Sequence, residues 1–193
     1  MSPFSTLQKY TLIAYPYASR LPGDLTPWEV EQLEFLNQVG AASYFQLISR
    51  SKHKKKLNTL SRAGLIRKYK LEGQTPMLVA ASQPYSNVVA LLKALIFTQL
   101  VLTMRQKFEI EIQPGDMLLH AVIKINGSHF PVIVFRESDA IPPLPMIDRL
   151  IIISETFRPE FKKIKAPARI ALDQEILLPL LTFYLPDGSK EVL

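Results

Sequence analysis

Apolar positions recur every three to four residues over much of the first hundred residues, then gather into short strand-like runs over much of the remainder. Helical order begins at Thr26-Pro27-Trp28-Glu29. Thr26 can cap, proline suits the first helical position, and Glu29 completes a capping box. Trp28, Val30, Leu33, Leu36 and Val39 then predict one helical stripe ending near Gly40. A short second helix is expected over residues 43–48, with Tyr44, Phe45, Leu47 and Ile48 as apolar contacts. Ser51 is the expected cap of a third helix over residues 52–63, stopped by Gly64 and turned inward by Leu57, Leu60 and Ala63. Residues 65–71 and 77–80, around the turn at residues 72–76, predict a β-hairpin.

Beyond Pro84, the run from Val88 to Met104 predicts a long helix buried over much of its circumference. Strands are expected at residues 108–112, 118–125, 131–135, 150–153 and 168–171, with Asn126-Gly127 as a two-residue hairpin turn. Ile151-Ile152-Ile153 shows no alternation, which predicts a strand buried on both faces. Residues 141–148, with three prolines, read as a rigid connection. Asp173 is a candidate cap for a helix over residues 173–181. Residues 1–24 contain Pro3, Pro16, Pro22 and Gly23 without a sustained period, so they read as an extended arm. The expected organisation is an arm (1–25), a helix-and-hairpin domain (26–82) and an α/β domain (83–193). The fold class is α+β or α/β.

Charge sharpens this division. The 193 residues hold 23 Lys plus Arg against 17 Asp plus Glu, a net +6. Residues 1–82 have 11 basic and 5 acidic side chains, so the whole excess lies there; residues 83–193 have 12 of each. Residues 50–70 alone hold nine basic residues and no acid. Such a block is either a solvated face or a surface for phosphates or anionic lipid. Cations at the start of the third helix oppose its macrodipole, which favours an anionic partner. The absence of cysteine excludes disulfides, thiolate zinc sites and cysteine nucleophiles. The first 25 residues lack the pattern of a signal peptide. The apolar run at 88–104 is interrupted by Lys93 and Gln99, so a buried helix is expected rather than a membrane span, and a cytoplasmic location with it.

Three helices followed by a hairpin, with the third helix basic, form the pattern of a winged helix-turn-helix. The segment from Lys56 to Arg67, with Leu57, Leu60 and Gly64-Leu65-Ile66, resembles the passage from recognition helix to wing in winged-helix regulators. The resemblance covers residues 26–82 and implies a third helix in the major groove of duplex DNA, with a wing near the adjacent backbone. The residues expected to bind DNA are Arg50, Ser51, Lys52, His53, Lys54, Lys55, Asn58, Thr59, Arg62, Arg67, Lys68 and Lys70. The cations would meet phosphates, Asn58 and Thr59 could read base edges, and Arg62 could contact guanine or a phosphate.

The C-terminal half, with Pro114-Gly115-Asp116, Val132-Ile133-Val134-Phe135-Arg136 and Leu150-Ile151-Ile152-Ile153-Ser154, resembles a reduced restriction-endonuclease-like core. The two halves together resemble the replication-relaxation family of plasmid and mobile-element proteins. A nuclease of that fold needs carboxylates on its second core strand to hold a divalent metal. Ile133, Val134 and Phe135 stand there instead, and only Asp116, Glu137 and Asp139 lie nearby. His120 and His129 lack a clear third ligand, and Lys162, Lys163 and Lys165 read as a solvated loop. The chain is therefore expected to be a non-enzymatic binder of double-stranded DNA with no cofactor and no metal. It would dimerise through residues 83–193 and act in plasmid or mobile-element replication, transfer or transcriptional control, with a replication or transfer protein as a further partner. Two alternatives stay open: a metal-dependent nuclease targeted by the winged helix, or a protein-interaction module using the basic face.

Overall fold

The computed structural model describes residues 1–16, 23–116, 119–142 and 147–192. Helices and two sheets combine in the expected mixed α+β class. The chain divides into two compact units, Gln8–Thr98 and Met1–Leu7 with Gln99–Leu193. The division falls inside a continuous helix rather than near residue 83, because the start of that helix supplies core side chains to the first unit. Parts of the expected arm (17–22), strand (118) and proline-rich connection (143–146) lie outside the described residues.

In the unit Gln8–Thr98, β1 (Thr11–Ala14) precedes α1 (Pro27–Val39), β2 (Ala41–Ser43), α2 (Tyr44–Leu47), α3 (Ser51–Arg62), β3 (Arg67–Glu72) and β4 (Met77–Ala81). The sheet is antiparallel in the order β1-β3-β4-β2. The arm thus contains a strand: Thr11 pairs with Glu72 and Ala14 with Tyr69. Its residues, Thr-Leu-Ile-Ala, are mostly exposed because the strand covers a sheet edge rather than a core, so no core-facing alternation marked it.

At the start of α1 the Glu29 carboxylate accepts from the Thr26 amide at 2.8 Å and its hydroxyl at 2.6 Å. Ser43 and Gln46 repeat this device on α2 at 2.9 Å for both contacts. The buried face of α1 runs through Glu29, Gln32, Phe35, Leu36 and Val39, while Val30 is 40% exposed. Val30 is therefore off the stripe the sequence suggested, since it lies about 100° around the helix from Glu29. Phe45 likewise points outward, at 54% exposed, because a single turn can bury only Tyr44 and Leu47.

α3 begins one residue earlier than expected, with Arg50 at the N-cap and Ser51 inside the helix. Its end is chemically explicit. Gly64 takes φ +74°, its amide reaches the Ser61 carbonyl, and the Leu65 amide reaches the Leu60 carbonyl. Those two bonds satisfy the last carbonyls in a left-handed cap that favours glycine. Leu57 and Leu60 are fully buried, and each stabilises the docked helix by about 2 kcal/mol.

α4 (Val88–Arg105) has the length and apolarity to cross a membrane, yet 61% of it is buried inside the protein. Leu91, Leu92, Leu95, Ile96, Leu100 and Val101 are all fully buried, which makes it a core helix.

In the second unit, β5 (Ile110–Pro114), β6 (Ala121–Ile125), β7 (Ser128–Val134), β8 (Leu150–Ser154), β9 (Ala168–Leu172), β10 (Thr182–Tyr184) and β11 (Lys190–Val192) form one sheet in sequential order. β7, β8 and β9 are mutually parallel, and the other neighbours are antiparallel. Asn126 and Gly127 both adopt positive φ, +48° and +78°, as a primed hairpin turn requires. That turn sets the register, so β7 starts at Ser128, three residues before the expected strand. Every residue of β8 is buried. Only Asp173–Ile176 of the expected helix at 173–181 is helical, forming α5, with Leu172 rather than Asp173 at its cap. A 3₁₀ turn at Pro159–Lys163 places Phe161 in the core beside Ile133, Phe135, Leu150 and Ile152.

The side chain of Asp173 is occupied by the Arg136 guanidinium, whose Nη1 donates to it at 2.7 Å and approaches Glu155 at 3.5 Å. All three groups stand just beyond the carboxyl ends of the parallel strands, and Arg136 is wholly buried. Glu155 also accepts from the Thr6 amide at 2.7 Å, the Thr6 hydroxyl at 2.6 Å and the Ser5 hydroxyl at 3.2 Å. The cluster therefore pins the first residues of the chain. Burial pushes the Asp173 carboxyl up to about 6, against the opposing pull of Arg136.

Candidate nucleic-acid interface

Helical periodicity separates α3 into two faces. Leu57 and Leu60 face the core, while Lys52, Lys54, Lys55, Thr59 and Arg62 are exposed, as are Arg50 and Ser51 at its start. Of these, Arg50, Lys52, Lys54, Lys55 and Arg62 form no ion pair among the described residues. Lys56 is held differently: its ammonium donates to the Thr26 hydroxyl at 2.6 Å and lies 5.7 Å from the Trp28 ring centre. Burial would raise the Glu29 carboxyl, but the Thr26 hydrogen bonds and Lys56 outweigh it and bring it below its ordinary value.

His53 departs from the expected surface. It is 8% exposed, stacks on Trp28 with ring centres 4.3 Å apart, and its Nδ1 lies 3.3 Å from the Ser49 hydroxyl. Burial, then the charges of Lys52, Arg50 and Lys56, hold its pKa below the usual value. The stack supports the position of α3 against α1 and withdraws most of the His53 ring from the surface. Its sequence position within a lysine run concealed this, because Trp28 lies 25 residues earlier.

Asn58, Lys68 and Tyr44 form a connected group. Lys68 Nζ donates to Asn58 Oδ1 at 2.9 Å, and the Tyr44 hydroxyl reaches the same oxygen at 3.3 Å. The Lys68 ammonium also lies 4.5 Å from the Tyr15 ring centre and 5.7 Å from that of Tyr44. Burial, then Lys54 and Arg62, lower the Lys68 pKa. Burial and Tyr15 push the Tyr44 phenol up to about 12, so it stays protonated at neutral pH. A hollow of about 270 Å³ beside this group is lined, among the described residues, by Tyr15, Pro16, Asn58, Ser61, Arg62 and Lys68, none of them a carboxylate.

Of the remaining expected residues, Lys70 is neutralised by Glu72 at 2.6 Å, and the half-buried Arg67 lies at the start of β3. Thr59 returns its hydroxyl to the Lys55 carbonyl at 3.2 Å. Tyr15, Tyr44 and Ser61 were not anticipated at this surface. The extended run Thr11-Leu12-Ile13-Ala14-Tyr15 before Pro16 was the available signal for the first.

The carboxylates considered for a metal site have other local roles. Asp139 accepts from the Arg136 amide at 2.7 Å, and Glu137 from the Thr156 hydroxyl at 3.1 Å. Among the described residues no group of three or more potential ligands converges, and Asp116 stands exposed beside residues outside the description. His129 pairs across the hairpin with Lys124, whereas His120 bonds through its amide to Val132. These positions are separated by about 13 Å along the ladder, given the rise per strand residue. Compared with known proteins, the chain matches no family model, no curated protein and no solved structure.

Proposed function

We propose that this chain is a non-enzymatic, sequence-reading binder of double-stranded DNA, with Gln8–Thr98 acting as a winged helix. The single observation behind this reading is the set of five cations on and just before α3 that lack any ionic partner among the described residues, on a helix whose opposite face is anchored by Leu57 and Leu60. The element order supports it too: α1, α2 and α3 precede the β3–β4 hairpin, and β2 adds the third strand usual for such a wing. In this reading α3 enters the major groove and the hairpin lies against the neighbouring backbone. Phosphate contacts supply affinity, and Asn58 and Arg62 read bases. The added strand β1 places Tyr15 beside α3.

One such module reaches one half-site, so residues 83–193 are proposed to hold a homodimer with half-sites about one helical turn apart. The setting we propose, from the likeness of the sequence to the replication-relaxation family, is plasmid or mobile-element replication, transfer or transcriptional control, in the cytoplasm. The test is a duplex titration by fluorescence anisotropy at several salt concentrations. Affinity that falls steeply with salt supports the reading; affinity independent of salt refutes it and leaves the basic face to a protein partner. Magnesium- or manganese-dependent nicking of plasmid DNA, abolished by Asp116→Ala, would restore the nuclease reading. Selection from random DNA would reveal the site, and paired repeats within it would support the dimer.

A further inference from the structure

The orientation of Asn58 is determined by its neighbours. An asparagine carboxamide has an oxygen that accepts and a nitrogen that donates, and exchanging them is decided by the hydrogen-bond network. Lys68 has three donors and no acceptor, so the Asn58 atom 2.9 Å from its ammonium is the oxygen. The protonated Tyr44 phenol, 3.3 Å away, approaches that same oxygen. The carboxamide oxygen is therefore occupied, while Nδ2 has no partner among the described residues and Asn58 lines the hollow. Arg62, one helical turn along, contributes further donors to that hollow and has no carboxylate partner among the described residues.

Asparagine reads adenine by offering one donor and one acceptor together, to N7 and N6. Here the acceptor is spent. From α3 the hollow presents the amide of Asn58 and the guanidinium of Arg62, both donors. Adenine and cytosine would direct an amino group at them, leaving donors face to face. Thymine offers one acceptor beside a methyl group. Guanine alone offers two acceptors, O6 and N7, and no donor on its major-groove edge.

Resting on the DNA-binding reading above, we propose that Asn58, oriented by Lys68 and Tyr44, and Arg62 together read a guanine in the major groove, and that Asn58 excludes adenine. Asn58 and Arg62 are the specificity-determining residues; Lys68 and Tyr44 position the first. The discrimination expected for guanine over adenine at that base pair is about tenfold.

The experiment measures binding of the full chain to a selected duplex and to every single-base-pair variant of it. Wild type is expected to prefer guanine at the base pair whose readout depends on Asn58, and 7-deazaguanine there should weaken binding. Asn58→Asp keeps an oxygen toward Lys68 but replaces the outward donor with an acceptor, so preference at that position should move to cytosine. Asn58→Ala should lose the preference while retaining the salt dependence, and it decides the matter if the aspartate variant binds too weakly to rank. Adenine preference in wild type, or a profile unchanged in both variants, overturns the inference. Salt-dependent binding with no base preference overturns it but leaves the DNA-binding reading standing; absence of duplex binding overturns both.

Discussion

Replacing Lys54 and Lys55 together by alanine isolates the electrostatic part of the proposed interface. Both are exposed and neither has an ionic partner among the described residues; Lys55 lies on the face of α3 opposite Leu57 and Leu60, and Lys54 on its flank. Counting Arg50, Lys52, Lys54 and Lys55 as phosphate contacts, with Arg62 kept for a base, gives a slope of log affinity against log salt of about −3.6 for four contacts. Removing two leaves two and a slope of about −1.8. Between 50 and 200 mM salt, wild-type affinity should then fall about 150-fold and that of the variant about 12-fold. Alanine is a better helix former than lysine, and the substitutions relieve cations near a helix N-terminus, so thermal stability should be kept or raised. The assay is anisotropy with a fluorescent duplex across that salt range, alongside a melting curve. An unchanged slope in a folded variant would refute the assignment of this face to DNA.

Several further perturbations address the fold. Arg136→Ala strands the buried carboxylates of Glu155 and Asp173 and should cost about 3–5 kcal/mol in urea unfolding. Asp173 also sets a pH dependence. Its carboxyl stands near 6 when folded, above its ordinary 3.8. The folded state therefore holds the proton more tightly, and this group's stabilisation is fully present below about pH 4 and lost as pH rises through about 6, on the order of 3 kcal/mol. Urea midpoints for Asp173→Asn should lack that component, and an identical pH profile would refute it. Thr6→Val removes the 2.6 Å hydroxyl bond to Glu155 and should cost about 2 kcal/mol, with faster proteolysis of the first residues. Gly127→Ala forces a side chain into φ +78° and should lower stability by about 1 kcal/mol, read from the melting temperature.

What could be read from the sequence was local. Thr26 with Glu29 marks the start of α1, and Gly64 the end of α3, because caps are satisfied within a few residues. The run Ile151-Ile152-Ile153 shows a doubly buried strand, and Asn126-Gly127 a primed turn, for the same reason. The one-sign charge of residues 50–70 likewise needed only counting.

Tertiary structure decided what depends on partners distant in sequence. β1 exists as a strand because β3, nearly sixty residues later, offers its free edge. His53 leaves the basic surface because Trp28 covers its ring. Arg136, Glu155 and Asp173 converge because three parallel strands end side by side, though no spacing in the sequence links them. At the proposed interface the same division holds. The sequence named Asn58, but a carboxamide's direction depends on what it touches, and only Lys68 from β3 and Tyr44 from α2 turn its oxygen inward.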